Sequence, residues 1–231
     1  MDTLAKRSEP FLDWMESWLK NLPVLPLPQP AQTAVLSVDV VNGFCVNGPL
    51  ASPRVAQIVA PITRLLQAAW AGGVRHILLL QDTHEPDAVE FSAWPAHCVR
   101  GTAEAEPVDE FKALPFFSAA TILQKNSIAS GLNADLAMWI AAHPEVDTFV
   151  VVGDCTDLCT YQMAMYLRTD ANERQLARRV IVPVDCVETY DRALEAAQTQ
   201  GGFAHPADLL HATFLYHMAL NGIEVVQKVV P

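Results

Sequence analysis

A cysteine that follows a buried strand has the setting needed for nucleophilic chemistry. Residues 149–152 are four consecutive apolar residues, three of them valine, which is typical of a strand buried on both faces. Gly153 ends this strand, and Thr156 and Asp157 are residues that commonly cap a helix. Cys159 then falls in the first turn of a helix, where unpaired N–H groups and the helix dipole favour the thiolate. Cys159 is therefore a candidate nucleophile; the alternative is a structural role, because free cysteines are often buried.

Two charged residues lie at the ends of other predicted strands. Asp39 is near the end of the apolar run 34–41, where burial would raise its pKa and make it a better proton acceptor from a thiol. Lys125 follows the run 120–124, and an ammonium group beside Asp39 and Cys159 would stabilise negative charge. Ligands of parallel sheets collect beyond the carboxyl ends of the strands, so these side chains form a candidate catalytic set. The alternatives are a turn residue and a solvated lysine.

A long irregular insert, residues 82–118, carries a pattern of metal-ligand residues. Asp82 and His84 are followed by an interposed carboxylate and by His97. Such a set suits a borderline divalent metal, with zinc as the first choice and iron or manganese as alternatives. A long insert in a compact domain is usually functional. Cys98 adjoins His97, but neighbouring side chains seldom point the same way, so we expect it to be structural.

The elements that must position these residues alternate between strand and helix. This alternation predicts an α/β fold with three α/β/α layers around a mostly parallel six-stranded sheet. The predicted strands are 34–40, 75–81, 119–124, 147–153, 179–185 and one near 222–229, and the predicted helices are 54–71, 131–143, 157–171, 190–200 and 206–220.

The first 32 residues have a pattern of their own. Apolar residues at helical spacing predict an amphipathic helix over 8–21, with Ser8 as its cap and Pro10 near its first position. Four prolines between 23 and 30 predict a stiff extended connector. We therefore divide the chain into this segment, 1–32, and one domain, 33–231. The helix should dock on that domain or on a second subunit, and we expect a homo-oligomer.

Composition excludes several classes of protein. The chain has 231 residues, of which 51% are hydrophobic and 18% charged, which indicates a globular domain. Its net charge of −11 argues against a nucleic-acid surface, and no apolar run is long enough to span a membrane. Five cysteines without a regular spacing argue against a disulfide framework. We expect a cytoplasmic protein with reduced thiols and with neither nucleic acid nor membrane as partner.

Residues 38–45 (VDVVNGFC), Gln124-Lys125 and residues 152–159 (VGDCTDLC) together resemble the motifs of the isochorismatase-like cysteine hydrolases. Within that family the chain is most similar to plant-type nicotinamidases, over residues 33–231. The resemblance implies the isochorismatase-like hydrolase fold, with Asp39, Lys125 and Cys159 as the catalytic residues. It also implies a cis peptide bond between Asp154 and Cys155 and an oxyanion hole made by the N–H groups of Cys155 and Cys159.

The insert resembles the nicotinamidase metal loop, which plain isochorismatases lack. The resemblance implies Asp82, His84 and His97 as metal ligands, and Glu90 as a further ligand found in some members. An open position on the metal could hold a pyridine nitrogen. Phe44 and Trp94 would then sandwich the substrate ring, although both could instead be core aromatics.

Two features outside these motifs carry expectations. Asp154 stands where an apolar residue is commoner, so its side chain should point away from Cys159 or be paired. His205, His211 and His217 should be helix-face or capping residues.

The function implied is hydrolysis of nicotinamide to nicotinate and ammonia through a cysteine thioester. One alternative is another hydrolase on the same catalytic set, acting on a carbamoyl compound or on isochorismate. A second is a non-enzymatic relative that serves as an interaction module.

Overall fold

Six parallel strands form the central sheet of the protein in a computed structural model that describes residues 3–231. The strands of the whole described chain, inside and outside this sheet, are in chain order β1 (Val24–Pro26), β2 (Thr33–Val38), β3 (His76–Asp82), β4 (Thr121–Lys125), β5 (Thr148–Asp154), β6 (Arg179–Pro183), β7 (Val187–Glu188), β8 (Glu224–Val226) and β9 (Lys228–Val230). The sheet order is β4-β3-β2-β5-β6-β8. This confirms the predicted six-stranded sheet, to which β7 adds a two-residue strand paired with the end of β5.

Helices cover both faces of this sheet. They are α1 (Leu4–Lys20), α2 (Asn42–Cys45), α3 (Pro53–Ala56), α4 (Val59–Ala71), α5 (Asp109–Lys112), α6 (Ala134–Ala142), α7 (Cys159–Glu173), α8 (Leu194–Gln200) and α9 (Ala207–Leu220). Ile62 of α4 and Phe111 of α5 pack on one face, whereas Met163 of α7 and Leu215 of α9 pack on the other. The three-layer α/β/α prediction is confirmed, and β2 and β5 are buried along their whole length because they lie between the two helix layers.

Two predicted elements are divided in the structure. The helix expected at 54–71 is divided into α3 and α4. The division occurs because the N–H groups of Gln57 and Ile58 donate to carbonyls three residues back, as in a 3₁₀-helix, instead of four. The strand expected near 222–229 becomes β8, which pairs with β6, and β9, which pairs with β1. Gln227 separates them, and its N–H donates to the Pro23 carbonyl.

The N-terminal helix starts earlier than predicted. It begins at Leu4 because the Thr3 hydroxyl accepts a hydrogen bond from the Lys6 N–H, so Pro10 lies inside the helix. The apolar side of α1 docks on α9, where the Tyr216 ring meets Phe11, Trp14 and Trp18 edge-on. The proline connector that follows contributes β1.

Two further features concern the cysteines and the lengths of the helices. All five cysteines are free. Within residues 3–231, every helix is too short or too polar to cross a membrane.

Candidate active site

A sharp turn after β2 places Asp39. The residue has a φ of 57°, a left-handed conformation that aspartate tolerates better than most side chains. Its N–H donates to the Leu80 carbonyl at 2.8 Å, and its Oδ1 accepts from the Asp82 N–H at 2.7 Å. The carboxylate is therefore buried and fixed between the ends of β2 and β3.

A position that only glycine fits lies next to the last residue of β5. Gly153 has a φ of 118°, and a Cβ at this position would lie 2.0 Å from the Val38 carbonyl oxygen. The following bond, Asp154–Cys155, is cis. The chain then enters α7 at Cys159, which thus lies at the same edge of the sheet as Asp39.

The helix-capping role expected of Thr156 and Asp157 is wrong. Leu158 is the N-cap residue of α7, and within the described chain no side chain caps this helix. The Thr156 hydroxyl instead lies 2.9 Å from His211 Nδ1, and Asp157 accepts a bond of 2.6 Å from Thr189 Oγ1. Partners distant in sequence have taken up the polar groups that would have capped the helix.

Lys125 lies between the acidic residues and the thiol. Its Nζ is 2.8 Å from Asp39 Oδ2, contacts Asp82 Oδ1, and is 3.9 Å from Cys159 Sγ. Asp39, Asp82 and Cys159 offer atoms that all lie within 4.8 Å of one another. The ends of β2, β3 and β4 and the start of α7 thus bring the three predicted catalytic residues into one buried cluster.

Burial sets the protonation states of this cluster. Burial, helped by Asp82 and opposed by Lys125, raises the pKa of Asp39 to about 6. Burial also raises the pKa of the Cys159 thiol well above its ordinary value, because the carboxylates add to burial and Lys125 does not offset them. This corrects the expectation that the helix start would favour the thiolate. Burial would lower the pKa of Lys125, but Asp39 and Asp82 raise it, so the amine stays charged. A neutral thiol beside a carboxylate of raised pKa is suited to proton transfer.

A group of three metal-ligand side chains adjoins this cluster. Asp82, His84 and His97 are buried, and their donor atoms lie within 4.8 Å of one another. Asp82 Oδ2 is 3.5 Å from His84 Nε2 and 3.7 Å from His97 Nε2. Two imidazoles and a carboxylate form a donor set that binds zinc, iron or manganese.

The outer nitrogens of both imidazoles are held by other groups. His84 Nδ1 donates to Asn126 Oδ1 at 3.1 Å, and His97 Nδ1 donates to the Pro95 carbonyl at 2.8 Å. With the proton on Nδ1 of each ring, each Nε2 carries a lone pair directed into the Asp82–His84–His97 donor set. His84 Nε2 is buried and has no hydrogen-bond partner within residues 3–231. An orphaned acceptor in a His₂-carboxylate set fits a divalent metal.

The structure places the three other predicted residues of this region at different distances from the donor set. Glu90 is outside the three-residue set, and its Oε2 accepts a bond of 3.1 Å from the Ile128 N–H. The Phe44 ring centre is 5.6 Å from that of His97. Trp94 is half-buried and meets the Tyr190 ring edge-on at 6.4 Å.

Sequence reasoning missed two residues that support the histidines. Asn126 fixes the His84 ring, and it follows the Lys125 that the sequence had singled out. Phe91 lies against both imidazoles, 5.3 Å from His84 and 5.6 Å from His97. Its position inside the insert, one residue after Glu90, was the available signal.

The residues around the thiol leave two donors free. Within the part of the chain that the structure describes, the N–H groups of Cys155 and Cys159 have no hydrogen-bond acceptor. Burial raises the pKa of Asp154 well above its ordinary value, and its Oδ2 lies 3.8 Å from Cys155 Sγ. The raised pKa favours the uncharged form of Asp154, which does not oppose negative charge on Cys159.

Comparison with known proteins identifies the family. A family model described as the isochorismatase domain matches residues 33–212 of the chain. The chain belongs to the isochorismatase family. Among curated members, Nicotinamidase 1 of Arabidopsis thaliana is 29% identical, and the match covers 91% of this chain and 93% of the relative.

Two solved structures of hydrolases have the same fold. A cysteine hydrolase from Pseudomonas syringae pv. phaseolicola superposes with a TM-score of 0.71 and 26% identity, over 90% of this chain and 94% of its own. A pyrazinamidase of Pyrococcus horikoshii, solved in complex with zinc, has a TM-score of 0.65 and 22% identity, over 85% and 99%.

Proposed function

We propose that this amide hydrolase of the isochorismatase family converts nicotinamide to nicotinate and ammonia. The observation that carries the proposal is one buried site in which Asp39, Lys125 and Cys159 adjoin the Asp82–His84–His97 donor set. The thiol, base and ammonium suit attack on a carboxamide, and the donor set suits a ligand with a ring nitrogen. Similarity to nicotinamidases supports the same assignment.

The first half of the reaction forms a thioester. Asp39 takes the proton from Cys159 Sγ, and the sulfur attacks the carboxamide carbon. The free N–H groups of Cys155 and Cys159 stabilise the oxygen that becomes negative. Lys125, held by two carboxylates, stabilises charge on sulfur during the attack. Protonated Asp39 then gives its proton to the departing nitrogen, and ammonia leaves.

The second half releases the acid. With ammonia gone, Asp39 is again a carboxylate and takes a proton from a water molecule as its oxygen attacks the thioester carbon. The carbon–sulfur bond breaks, nicotinate is formed, and the proton returns to Cys159. One water molecule is consumed in each cycle.

Asp82, His84 and His97 would hold one divalent metal, with zinc as our first choice and iron or manganese as alternatives. When bound, the metal supplies a coordination position for a pyridine nitrogen. Zinc is the metal in the Pyrococcus horikoshii structure, which supports this choice. Glu90 as a further ligand remains a prediction.

Phe44 and Trp94 are our candidates for holding the pyridine ring. Phe44 supports this role because it packs beside His97, whereas Trp94 lies further out, against Tyr190. We further propose that the enzyme acts in the cytoplasm, in NAD salvage, as a homo-oligomer.

The decisive experiment measures ammonia release from a panel of amides. The panel contains nicotinamide, pyrazinamide, benzamide and a carbamoyl amino acid, each with and without a chelator. We expect turnover of the two ring-nitrogen amides, none of benzamide, and loss of turnover on chelation. Preference for the carbamoyl compound without loss on chelation would instead support the alternative hydrolase.

Variants at two buried cysteines test the nucleophile. Cys159→Ala should abolish ammonia release, whereas Cys186→Ala removes a buried thiol away from the cluster and should leave it within about threefold. Trapping the thioester in the native enzyme by acid quench and mass spectrometry would locate it on Cys159. Turnover near the native level in Cys159→Ala would refute the mechanism.

A further inference from the structure

The loop that leads into α7 and Cys159, residues 155–158, is held by side chains far from it in sequence. Asp157, two residues before the thiol, is buried and has both carboxylate oxygens occupied. Oδ1 accepts from Thr189 Oγ1 at 2.6 Å, and Oδ2 lies 2.8 Å from His205 Nε2. Neither bond is needed to start α7, because Leu158 is the N-cap residue. The carboxylate of Asp157 is therefore free to anchor the loop itself.

The surroundings of His205 offer a hydrogen-bond acceptor to each of its two ring nitrogens. It was expected on a helix face or at a cap, but it is only 8% exposed and precedes α9. Its Nδ1 lies 2.8 Å from the Tyr190 carbonyl, so both ring nitrogens face acceptors. Burial would lower the pKa of His205, but the bond and charge of Asp157 raise it above its ordinary value. A doubly protonated ring satisfies both contacts.

His205 also joins the two ends of the segment 192–205, which contains α8. Arg192 and His205 exchange two backbone hydrogen bonds of 2.9 Å, which bring together the ends of the segment that contains α8. The Tyr190 ring stacks on the His205 ring at 3.8 Å and meets the ring of Trp94, from the metal-ligand insert, edge-on at 6.4 Å. His205 thus joins the cysteine loop to residues 189–192 and, through Tyr190, to the insert.

We propose that His205 is a positioning residue that, through Asp157, fixes the loop holding the Cys159 sulfur and the free N–H groups of Cys155 and Cys159. The proposal rests on the proposed function, because it assigns those N–H groups and that sulfur to the reacting centre. It goes beyond it in placing a structural determinant of turnover about fifty residues away in sequence. A loop displaced by a fraction of an ångström would misplace sulfur and oxyanion donors together, so the chemical step is affected more than substrate binding.

Two substitutions of His205 separate this role from simple packing. In His205→Gln the amide nitrogen takes the place of Nε2 and still donates to Asp157, whereas in His205→Asn it takes the place of Nδ1 and donates only to Tyr190. Loss of a charge-assisted bond should lower kcat about tenfold or more in His205→Asn, with KM within about twofold. His205→Gln should retain kcat within about threefold.

Hydrogen exchange provides a measurement that does not depend on the substrate. In His205→Asn, amides of residues 155–160 should exchange about tenfold faster than in the native protein, and in His205→Gln near the native rate. His217→Gln is the matched control, because His217 contacts α7, the helix that begins at Cys159, but does so at the exposed Tyr161 hydroxyl. If His205→Asn does not fold, Thr189→Val removes the other bond to Asp157 and should change kcat and exchange in the same direction.

The outcomes distinguish the two proposals. If the native protein hydrolyses no amide but His205→Asn loosens residues 155–160, the proposed function fails and the positioning role of His205 stands. Equal losses in His205→Asn and His205→Gln, or native exchange rates in His205→Asn and Thr189→Val, would overturn the positioning role.

Discussion

Replacing Gly153 with alanine tests how closely β2 and β5 must approach to form the site. Gly153 has a φ of 118°, and an added Cβ would lie 2.0 Å from the Val38 carbonyl oxygen. The two residues are paired in the sheet, and Asp39 directly follows Val38. The substitution therefore acts on the point that holds the base and the cysteine loop at one edge.

The expected loss of stability has a backbone part and a steric part. A non-glycine residue in this region of φ costs about 1–3 kcal/mol. Carbon and oxygen approach no closer than about 3.3 Å, so the strands must separate and a buried N–H and C=O lose their bond, at about 1–3 kcal/mol each. The sum is about 3–9 kcal/mol, a large fraction of the stability of a typical domain.

Gly201→Ala is the matched control. Gly201 also has a positive φ, 80°, but within the described structure no atom lies within 4 Å of its added Cβ. This variant should show only the backbone part, about 1–3 kcal/mol. Urea unfolding of the two variants and of the native protein measures the difference.

The result that would refute this reasoning is simple to state. If Gly153→Ala and Gly201→Ala unfold with free energies within about 1 kcal/mol of each other, β2 and β5 are not in the close contact described here. A folded Gly153→Ala with native turnover would show that the site does not depend on that contact.

Three further perturbations act on single side chains. Lys125→Met leaves two buried carboxylates unpaired and should cost about 3–5 kcal/mol in urea unfolding and at least a hundredfold in kcat/KM; native values would refute the role of the ammonium. Asn126→Ala removes the acceptor that orients His84 and should weaken zinc binding about 10- to 100-fold in a chelator competition, whereas unchanged affinity would exclude it as a supporting group. The folded-state pKa of His205 is raised above its ordinary value of 6.5, and that of Asp157 is lowered below its ordinary value of 3.8. The stability that the pair contributes is therefore fully present between pH 3.8 and pH 6.5. Relative to His205→Asn, the native protein should lose this advantage as pH rises through the raised pKa, and a constant difference from pH 5 to 9 would contradict the pairing.

Local patterns in the sequence were sufficient for the sheet. The apolar runs predicted β2 and β5 because strands buried on both faces need no polar alternation. The same runs located Asp39, Lys125 and Cys159 at strand ends, and parallel strands necessarily bring such ends to one edge. Helix boundaries were less secure: Thr3 rather than Ser8 caps α1, because several residues in that stretch could serve as caps.

The tertiary structure alone decided which partners the polar groups take. Thr156 and Asp157 have the residue types of helix caps, but His211, Thr189 and His205 bind them after the chain folds. The protonation of Cys159 likewise depends on burial, which outweighs the helix start and the nearby ammonium. Strand and helix patterns depend on neighbouring residues, so the sequence by itself determined where the central strands lie and that their ends meet at one edge. The hydrogen-bond partners of Thr156 and Asp157 are 32 to 55 residues away, and the carboxylates that raise the Cys159 pKa are further still, so only the packed chain brings those groups within reach.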